Sequence, residues 1–220
     1  MFSAEVISML QQGFWETIYM TLASTALGYL LGLPLGITLA VTDKEGICPN
    51  RVVYRILDII SNIIRSIPFL ILLILVIPLT RALVGKSYGS SATIVPLVIA
   101  AAPFIARMVE SSLKEVDAGV IEAARSMGAG PWTIIFKVLL VEARTSLIVG
   151  TTIALGTILG YSAMAGVVGG GGLGDIAIRY GYYRYESDIM IVTIIILVLI
   201  VQVLQALGMM LSKRLDRRNK

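Results

Sequence analysis

Long apolar runs alternate with short polar stretches along this chain of 220 residues. Five of the runs are long enough to cross a membrane, because about 20 apolar residues span the hydrocarbon core of a bilayer. The five predicted spans are residues 17–41, 56–77, 91–109, 146–165 and 189–211. They predict one membrane domain over residues 14–211, with a short segment at 1–13 before it and a basic tail at 212–220 after it.

The polar interruption at residues 110–145 differs from the other connections because it has a helical pattern of its own. Gly128 is expected to end a first helix in the left-handed conformation, and Pro131 to begin a second one without losing a needed hydrogen bond. The predicted apolar face of the first helix recurs at spacings of three and four and consists of Leu113, Val116, Val120, Ile121, Ala124 and Met127. The pattern alone fits an ordinary surface loop as well as a functional one.

Composition supports the membrane interpretation. Apolar residues make up 57% of the chain and charged residues only 15%, against about 25% in soluble domains. The net charge of +4 does not indicate nucleic-acid binding, because the cations lie beside apolar spans and not in a basic strip with aromatic residues. We therefore expect the lipid bilayer as a partner and no nucleic acid.

The residue types present leave little room for catalysis. The chain has no histidine, the commonest general base and metal ligand, and its one cysteine, Cys48, cannot form an intrachain disulfide. No Walker A sequence is present, and the glycine-rich run at 169–174 lacks the lysine of a phosphate loop. We expect that run to be a flexible or tightly turning segment, and we expect no catalytic residue, no metal and no cofactor.

Several motifs resemble those of one transporter family. Glu122-Ala123-Ala124, three residues, Gly128, nine residues and Val138-x-Leu140 are similar to the E-A-A-x3-G-x9-I-x-L-P signature of ATP-binding-cassette (ABC) importer permeases. Val141 stands where that family usually has proline. Four more strings resemble the permease subunits of bacterial methionine importers: R-S-I-P-F at 65–69, A-A-P-F-I-A-R at 101–107, G-Y-S-A-M at 160–164 and G-G-G-L-G at 170–174.

The resemblance implies a fold and a function. The fold is an all-α type I ABC importer permease with five transmembrane helices and a cytosolic coupling helix. The function is ATP-driven import of methionine, with ATP hydrolysed in a partner and not in this chain. The implied partners are a second copy of the chain, two cytosolic ABC ATPase subunits and an extracytoplasmic substrate-binding protein. The implied ATPase-coupling residues are Glu122, Ala123, Ala124 and Gly128.

Five residues in or beside the spans are candidates for the translocation path or its gate: Arg65, Pro68, Tyr161, Ser162 and Met164. A charge inside a span is costly, so Arg65 should face protein or water and not lipid. It belongs either to a bent helix lining the path or to a buried charge pair with Asp58 or Glu110. Met164 fits a gate residue, but a methionine that fills a packing gap fits equally well.

Charge distribution predicts the topology of an inner-membrane protein. With the N-terminus outside and the C-terminus in the cytoplasm, thirteen Lys and Arg residues lie on the inside and four on the outside, as the positive-inside rule requires. Within the permease class, a permease for another polar amino acid remains an alternative. A passive channel or a membrane scaffold is a further alternative, although neither explains a helix-Gly-Pro-helix insertion.

Overall fold

The computed structural model describes residues 2–215, and every regular element in that part of the chain is helical. The α-helices are α1 (Ala4–Thr42), α2 (Arg51–Ser66), α3 (Phe69–Leu75), α4 (Ile77–Val84), α5 (Ser90–Lys114), α6 (Ala118–Ser126), α7 (Pro131–Thr133), α8 (Leu140–Glu142), α9 (Arg144–Ala165), α10 (Gly172–Ile176) and α11 (Ser187–Leu215). Two π-helical turns, Ile134–Leu139 and Ala177–Tyr182, and one 3₁₀ turn, Gly166–Val168, join some of them. The predicted all-α class is confirmed.

Four helices are long and apolar enough to cross a membrane: α1, α5, α9 and α11. The pair α2 and α3 makes a fifth span when the two helices are counted as one, with a bend of 102° between them. The predicted span at 56–77 corresponds to two helices with the bend between them, and its ends shift to Arg51 and Leu75. The break follows from Pro68, which disfavours the helical conformation at the preceding residue; Ile67 is extended, with φ −79° and ψ 124°.

Other predicted boundaries also shift. Helix α1 runs unbroken from Ala4 to Thr42, about 58 Å at 1.5 Å per residue, so no structural boundary separates 1–13 from the first span. Helix α5 continues past the predicted end at 109 to Lys114, because ion pairs along it neutralise its last charges. Helix α11 extends into the predicted tail as far as Leu215, and residues 216–220 lie outside the described part.

The centre of the fold is the contact between α1 and α5. On α1, Gly28, Gly32 and Gly36 lie four residues apart and face α5. A Cβ atom on Gly32 would lie 2.6 Å from the Ala102 carbonyl oxygen, and one on Gly36 would lie 2.5 Å from that of Ala106. Small residues let helix backbones approach closely in lipid, where packing replaces the hydrophobic effect as the driving force. The glycines therefore fix how α1 and α5 lie together.

The glycine-rich run turns tightly and packs against α1. Of the two predictions for it, a flexible or a tightly turning segment, the structure agrees with the second. Gly171 and Gly172 have φ angles of 81° and 75°, in the region that favours glycine. The Gly172 amide donates to Glu16 Oε2 at 2.7 Å, and the Leu173 amide donates to Thr17 Oγ1 at 2.9 Å. These bonds hold the start of α10 on the middle of α1.

Substitution of Gly32 tests the α1–α5 contact. We expect Gly32→Ala to lower the free energy of unfolding by about 1–3 kcal/mol, the usual cost of overpacking, because the added methyl group meets the α5 backbone. Thermal unfolding of the purified protein in detergent measures the effect. Gly156→Ala on α9 is the matched control, since its Cβ would lie 3.5 Å from the mobile end of Gln205. Equal melting temperatures for the two variants would contradict the prediction.

Candidate functional site

Helix α6 is the helix predicted before Gly128. Asp117 caps its first turn, with Oδ1 accepting the Gly119 amide at 2.7 Å. Gly128 ends the turn that follows α6 with a φ of 80°, and its amide donates to the Arg125 carbonyl at 2.9 Å. A Cβ on Gly128 would meet nothing within 4 Å, so conformation and not space requires glycine here. The predicted stop at Gly128 and the start of the next helix at Pro131 are both confirmed.

The predicted apolar face of this helix is only partly correct. Leu113 belongs to α5, and Val116 lies in the connection before α6. Ala124 is buried and Ile121 packs on the core, as expected for the inner face. Met127, however, is 82% exposed, because the helix ends before it and the chain turns outward.

The residues predicted to contact an ATPase divide between the two faces of α6. Glu122 and Ala123 are exposed, and so is Gly128 at the end of the segment. Ala124 is buried and holds α6 against the body of the protein. The structure therefore makes three of the four residues available to a partner and gives the fourth a packing role.

Exposed apolar side chains continue this surface. Met127, Trp132 and Phe136 are all exposed, and the rings of Trp132 and Phe136 stack with centroids 5.9 Å apart. Apolar groups clustered on a polar connection typically mark an interaction site. Together with Glu122 and Ala123 they form what we call the coupling surface.

A hydrogen bond holds α6 to the connection between α1 and α2. Arg125 Nη2 donates to the Ile47 carbonyl oxygen at 3.0 Å. Between this connection and α6 lies a cavity of about 240 Å³, lined in part by Ala118 and Ile121 on the α6 side and Gly46 and Ile47 on the other. The sequence pattern did not indicate this contact, since 78 residues separate its two partners.

Two of the predicted path residues meet at the bend between α2 and α3. Arg65 and Tyr161 both line a cavity of about 220 Å³. The Tyr161 ring stacks on Phe69, with ring centroids 4.6 Å apart and planes 4° apart. Pro68 lies directly before Phe69, at the bend itself. The structure thus brings Arg65 and Tyr161 to one cavity, with Pro68 at the adjacent bend.

The other two path candidates lie elsewhere on α9. Ser162 is 1% exposed, and its hydroxyl donates to the Leu159 carbonyl at 2.7 Å, so it serves packing within the protomer. Met164 is half-exposed on the protein surface. Met164 therefore does not fill a buried packing gap within the described protomer. Its role as a gate residue stays a prediction.

A network of charged side chains, which the sequence analysis did not identify, joins α1, α2 and α5. Arg107 on α5 pairs with Asp58 on α2 and, through Nη1 at 2.6 Å, with Glu110 Oε2. Lys114 Nζ lies 2.8 Å from Glu110 Oε1 and 2.7 Å from Asp43 Oδ2. We call these five residues the polar network. The hydrogen bond from Lys114 lowers the pKa of Asp43, which lies just beyond α1.

The polar network overturns one interpretation of Arg65. That residue is exposed and forms no ion pair with any residue in the range 2–215. Asp58 and Glu110, its expected partners, bind Arg107 instead. One feature of the sequence could have indicated the polar network. The spacing of Arg107, Glu110 and Lys114 places three charges on one face of a helix.

Removal of the Arg125 side chain should loosen α6. We expect Arg125→Gln to raise hydrogen exchange of the α6 amides up to about fivefold, because a net hydrogen bond contributes about 1 kcal/mol. Hydrogen–deuterium exchange with mass spectrometry measures this. Glu122→Gln is the control, because Glu122 is on the same helix and its side chain makes no hydrogen bond within residues 2–215. Unchanged exchange in the Arg125 variant would show that the bond to Ile47 does not hold α6.

Comparison with known proteins identifies the family. The family model described as "Binding-protein-dependent transport system inner membrane component" matches residues 32–220. A probable D-methionine transport system permease protein of Vibrio cholerae is 51% identical over 204 residues, 93% of this chain and 91% of the relative. The D-methionine transport system permease protein of Escherichia coli K12 is 51% identical over 164 residues, 74% and 76% of the two chains.

Solved structures agree with the sequence relatives. A chain of the inward-facing MetNI methionine ABC transporter is similar to this one with a TM-score of 0.97 and 47% identity, covering 98% of this chain and 100% of that chain. A chain of an amino acid ABC transporter crystallised with histidines matches with a TM-score of 0.80 at 19% identity, which shows a shared fold. The chain thus belongs to the family of binding-protein-dependent transport system inner membrane components, the permease subunits of ABC importers.

Proposed function

We propose that this chain is the transmembrane permease subunit of an ATP-driven methionine importer. The observation that carries the proposal is the match to the MetNI methionine transporter over nearly the whole chain at 47% identity. Relatives of about 50% identity that transport D-methionine support the same substrate. The chain forms the translocation path, and a separate ATPase subunit hydrolyses ATP.

The coupling surface is the proposed contact with the ATPase. Glu122 and Ala123 are exposed for docking, and the small side chain of Ala123 allows close approach. Helix α6 is short and is held by buried Ala124 on one face and by Arg125 at its end. A displacement imposed by the ATPase therefore reaches α5 and α9, between which α6 lies in the chain. For this coupling to drive transport, ATP at the ATPase and methionine at the permease must both shift the equilibrium between the same two conformations of the importer.

A second copy of this chain is the proposed partner within the membrane. Only one of the sixteen residues of α2, Ser61, is buried in the protomer. Apolar side chains along α2 and α3 are exposed, among them Ile59, Ile63 and Ile71. Two copies that face each other through these helices would enclose the cavity lined by Arg65 and Tyr161. Two ATPase subunits and an extracytoplasmic substrate-binding protein complete the proposed importer.

The proposed orientation has the N-terminus outside and the C-terminus in the cytoplasm. It is supported by the excess of Lys and Arg in the segments that would then lie inside. This orientation places α6 in the cytoplasm, where an ATPase subunit can reach it. It places the glycine-rich run and α10 near the opposite side of the membrane.

Uptake measurements with variants at Gly128 test the coupling. With the ATPase and the binding protein, the wild type should import methionine only when ATP is supplied. We expect Gly128→Asp to reduce uptake at least about tenfold, because a non-glycine residue at a φ of 80° is strained and displaces the coupling surface. Gly130→Asp adds the same charge two residues away, at an N-cap position with φ −74° that suits aspartate.

Four results would contradict the proposal in whole or in part. Absence of ATP-dependent methionine uptake by the wild type would reject the substrate or the importer assignment, and preferential uptake of another polar amino acid would replace the substrate. Normal uptake by Gly128→Asp at a normal membrane level would reject the coupling role. Equal losses in the Gly128 and Gly130 variants would show that charge, and not backbone conformation, causes the defect.

The native Cys48 tests the orientation. It is exposed in the connection between α1 and α2, which the proposal places in the cytoplasm. A membrane-impermeant maleimide should therefore label inside-out vesicles and leave right-side-out vesicles unlabelled until they are permeabilised. Cys48→Ser is the control for specificity. Labelling of sealed right-side-out vesicles would reverse the assigned orientation.

A further inference from the structure

We propose that the polar network is the link through which the coupling helix α6 sets the position of α2, with Arg107 as its positioning residue. The inference rests on the proposed function and adds to it a route from the ATPase to the bend between α2 and α3. It gives the charged side chains of α5 a role in coupling and not in substrate binding.

The first argument is that α2 buries little apolar surface within the protomer and reaches α5 through polar contacts. Ser61 is its only buried residue, and the Ser61 hydroxyl has no hydrogen-bond partner among residues 2–215. Three side chains of α2 reach α5 through polar groups: Tyr54 donates to Glu110, while Asp58 and Asn62 accept from Arg107. Directional contacts of this kind can break and re-form, whereas the close α1–α5 packing cannot change without a large cost.

The second argument concerns the geometry at Arg107. Its guanidinium binds Glu110 on its own helix and Asp58 and Asn62 on α2. Loss of the bonds to α2 would leave the guanidinium paired with Glu110, so α2 can detach without leaving a buried charge unpaired. Buried Arg107 Nε has no partner in the described protomer, which leaves a donor free for a second arrangement. The network can thus take a second arrangement besides the one in the structure, as the proposed coupling requires.

The third argument is that α6 and the end of α5 just before it each contact the connection that leads into α2. Lys114, the last residue of α5, lies four residues before the start of α6 and binds Asp43 in the connection between α1 and α2. Arg125 on α6 donates to Ile47 in the same connection. A shift of α6 therefore moves the segment from which α2 begins and, through Lys114 and Glu110, the network itself.

The other end of α2 adjoins the proposed path. Arg65 lies in the last turn of α2, and the chain bends by 102° immediately after it. Arg65 and Tyr161 line the cavity at that bend. Rotation of α2 about the bend would move Arg65 relative to Tyr161 and change the shape of this cavity.

Asp58→Asn is the decisive variant. It removes the charge through which α2 binds Arg107 on α5 and leaves the ion pairs of Glu110 with Arg107 and Lys114 intact. We expect normal assembly with the ATPase and continued ATP hydrolysis, with the amount of methionine imported per ATP reduced about threefold or more. Asp175→Asn is the matched control, since it removes an ion pair of 2.6 Å to Arg179 that stays within one short segment. Its transport per ATP should equal that of the wild type.

A distance measurement separates positioning from a merely structural role. Spin labels at Ile56→Cys on α2 and Ser111→Cys on α5, both exposed positions, in a Cys48→Ser background report the α2–α5 distance in the assembled importer. In the wild type the distance should change on ATP binding, and in Asp58→Asn it should no longer follow the nucleotide. If Asp58 acts through Arg107, the double variant Asp58→Asn with Arg107→Gln should import as much methionine per ATP as Arg107→Gln alone.

The outcomes distinguish this inference from the proposed function. If the wild type imports methionine with ATP but Asp58→Asn keeps the same ratio of import to hydrolysis, the inference is overturned and the function stands. A nucleotide-dependent distance that is unchanged in Asp58→Asn also overturns it. If the wild type shows no ATP-dependent import, the proposed function fails first.

Discussion

Close packing of α1 against α5 is the interaction on which the rest of the structure depends. Backbone carbonyls of Ala102 and Ala106 occupy the space that side chains at Gly32 and Gly36 would need. In lipid, helices gain little from hiding apolar surface from one another, so such close approach supplies much of the attraction. Helices α2 and α9 then pack on α5, which means that their positions follow from this pair.

Against this rigid pair, α2 is attached in a different way. Of its own residues only Ser61 is buried, and its hydrogen bonds to α5 are made by charged and polar side chains. Paired charges away from water are costly to separate but need not be costly to rearrange. The molecule therefore combines an apolar frame with a polar attachment. Lys114 at the end of α5 and Arg125 on the coupling helix both contact the connection that leads into α2.

The coupling segment shows how far local sequence decides structure. Gly128 and Pro131 set the end of one helix and the start of the next, because a left-handed φ and a missing amide are properties of single residues. The exposure of Met127 did not follow from its helical spacing, since periodicity describes a face only where a helix continues. Glu122 and Ala123 could be named from their motif, but their exposure depends on how α6 lies on the core.

The sequence by itself determined the all-helical membrane fold, the approximate spans and the turn at Gly128, because span length, hydropathy and backbone preference are local properties. It also indicated the bend at Pro68, but not its angle of 102°. Only the tertiary structure decided which charges pair. Asp58 and Arg107 are 49 residues apart in the sequence, and Arg125 and Ile47 are 78 residues apart. No local sequence pattern indicates that such distant residues are in contact. The way α2 lies on α5 brings Asp58 to Arg107 and not to Arg65, and the way α6 lies on the α1–α2 connection brings Arg125 to Ile47.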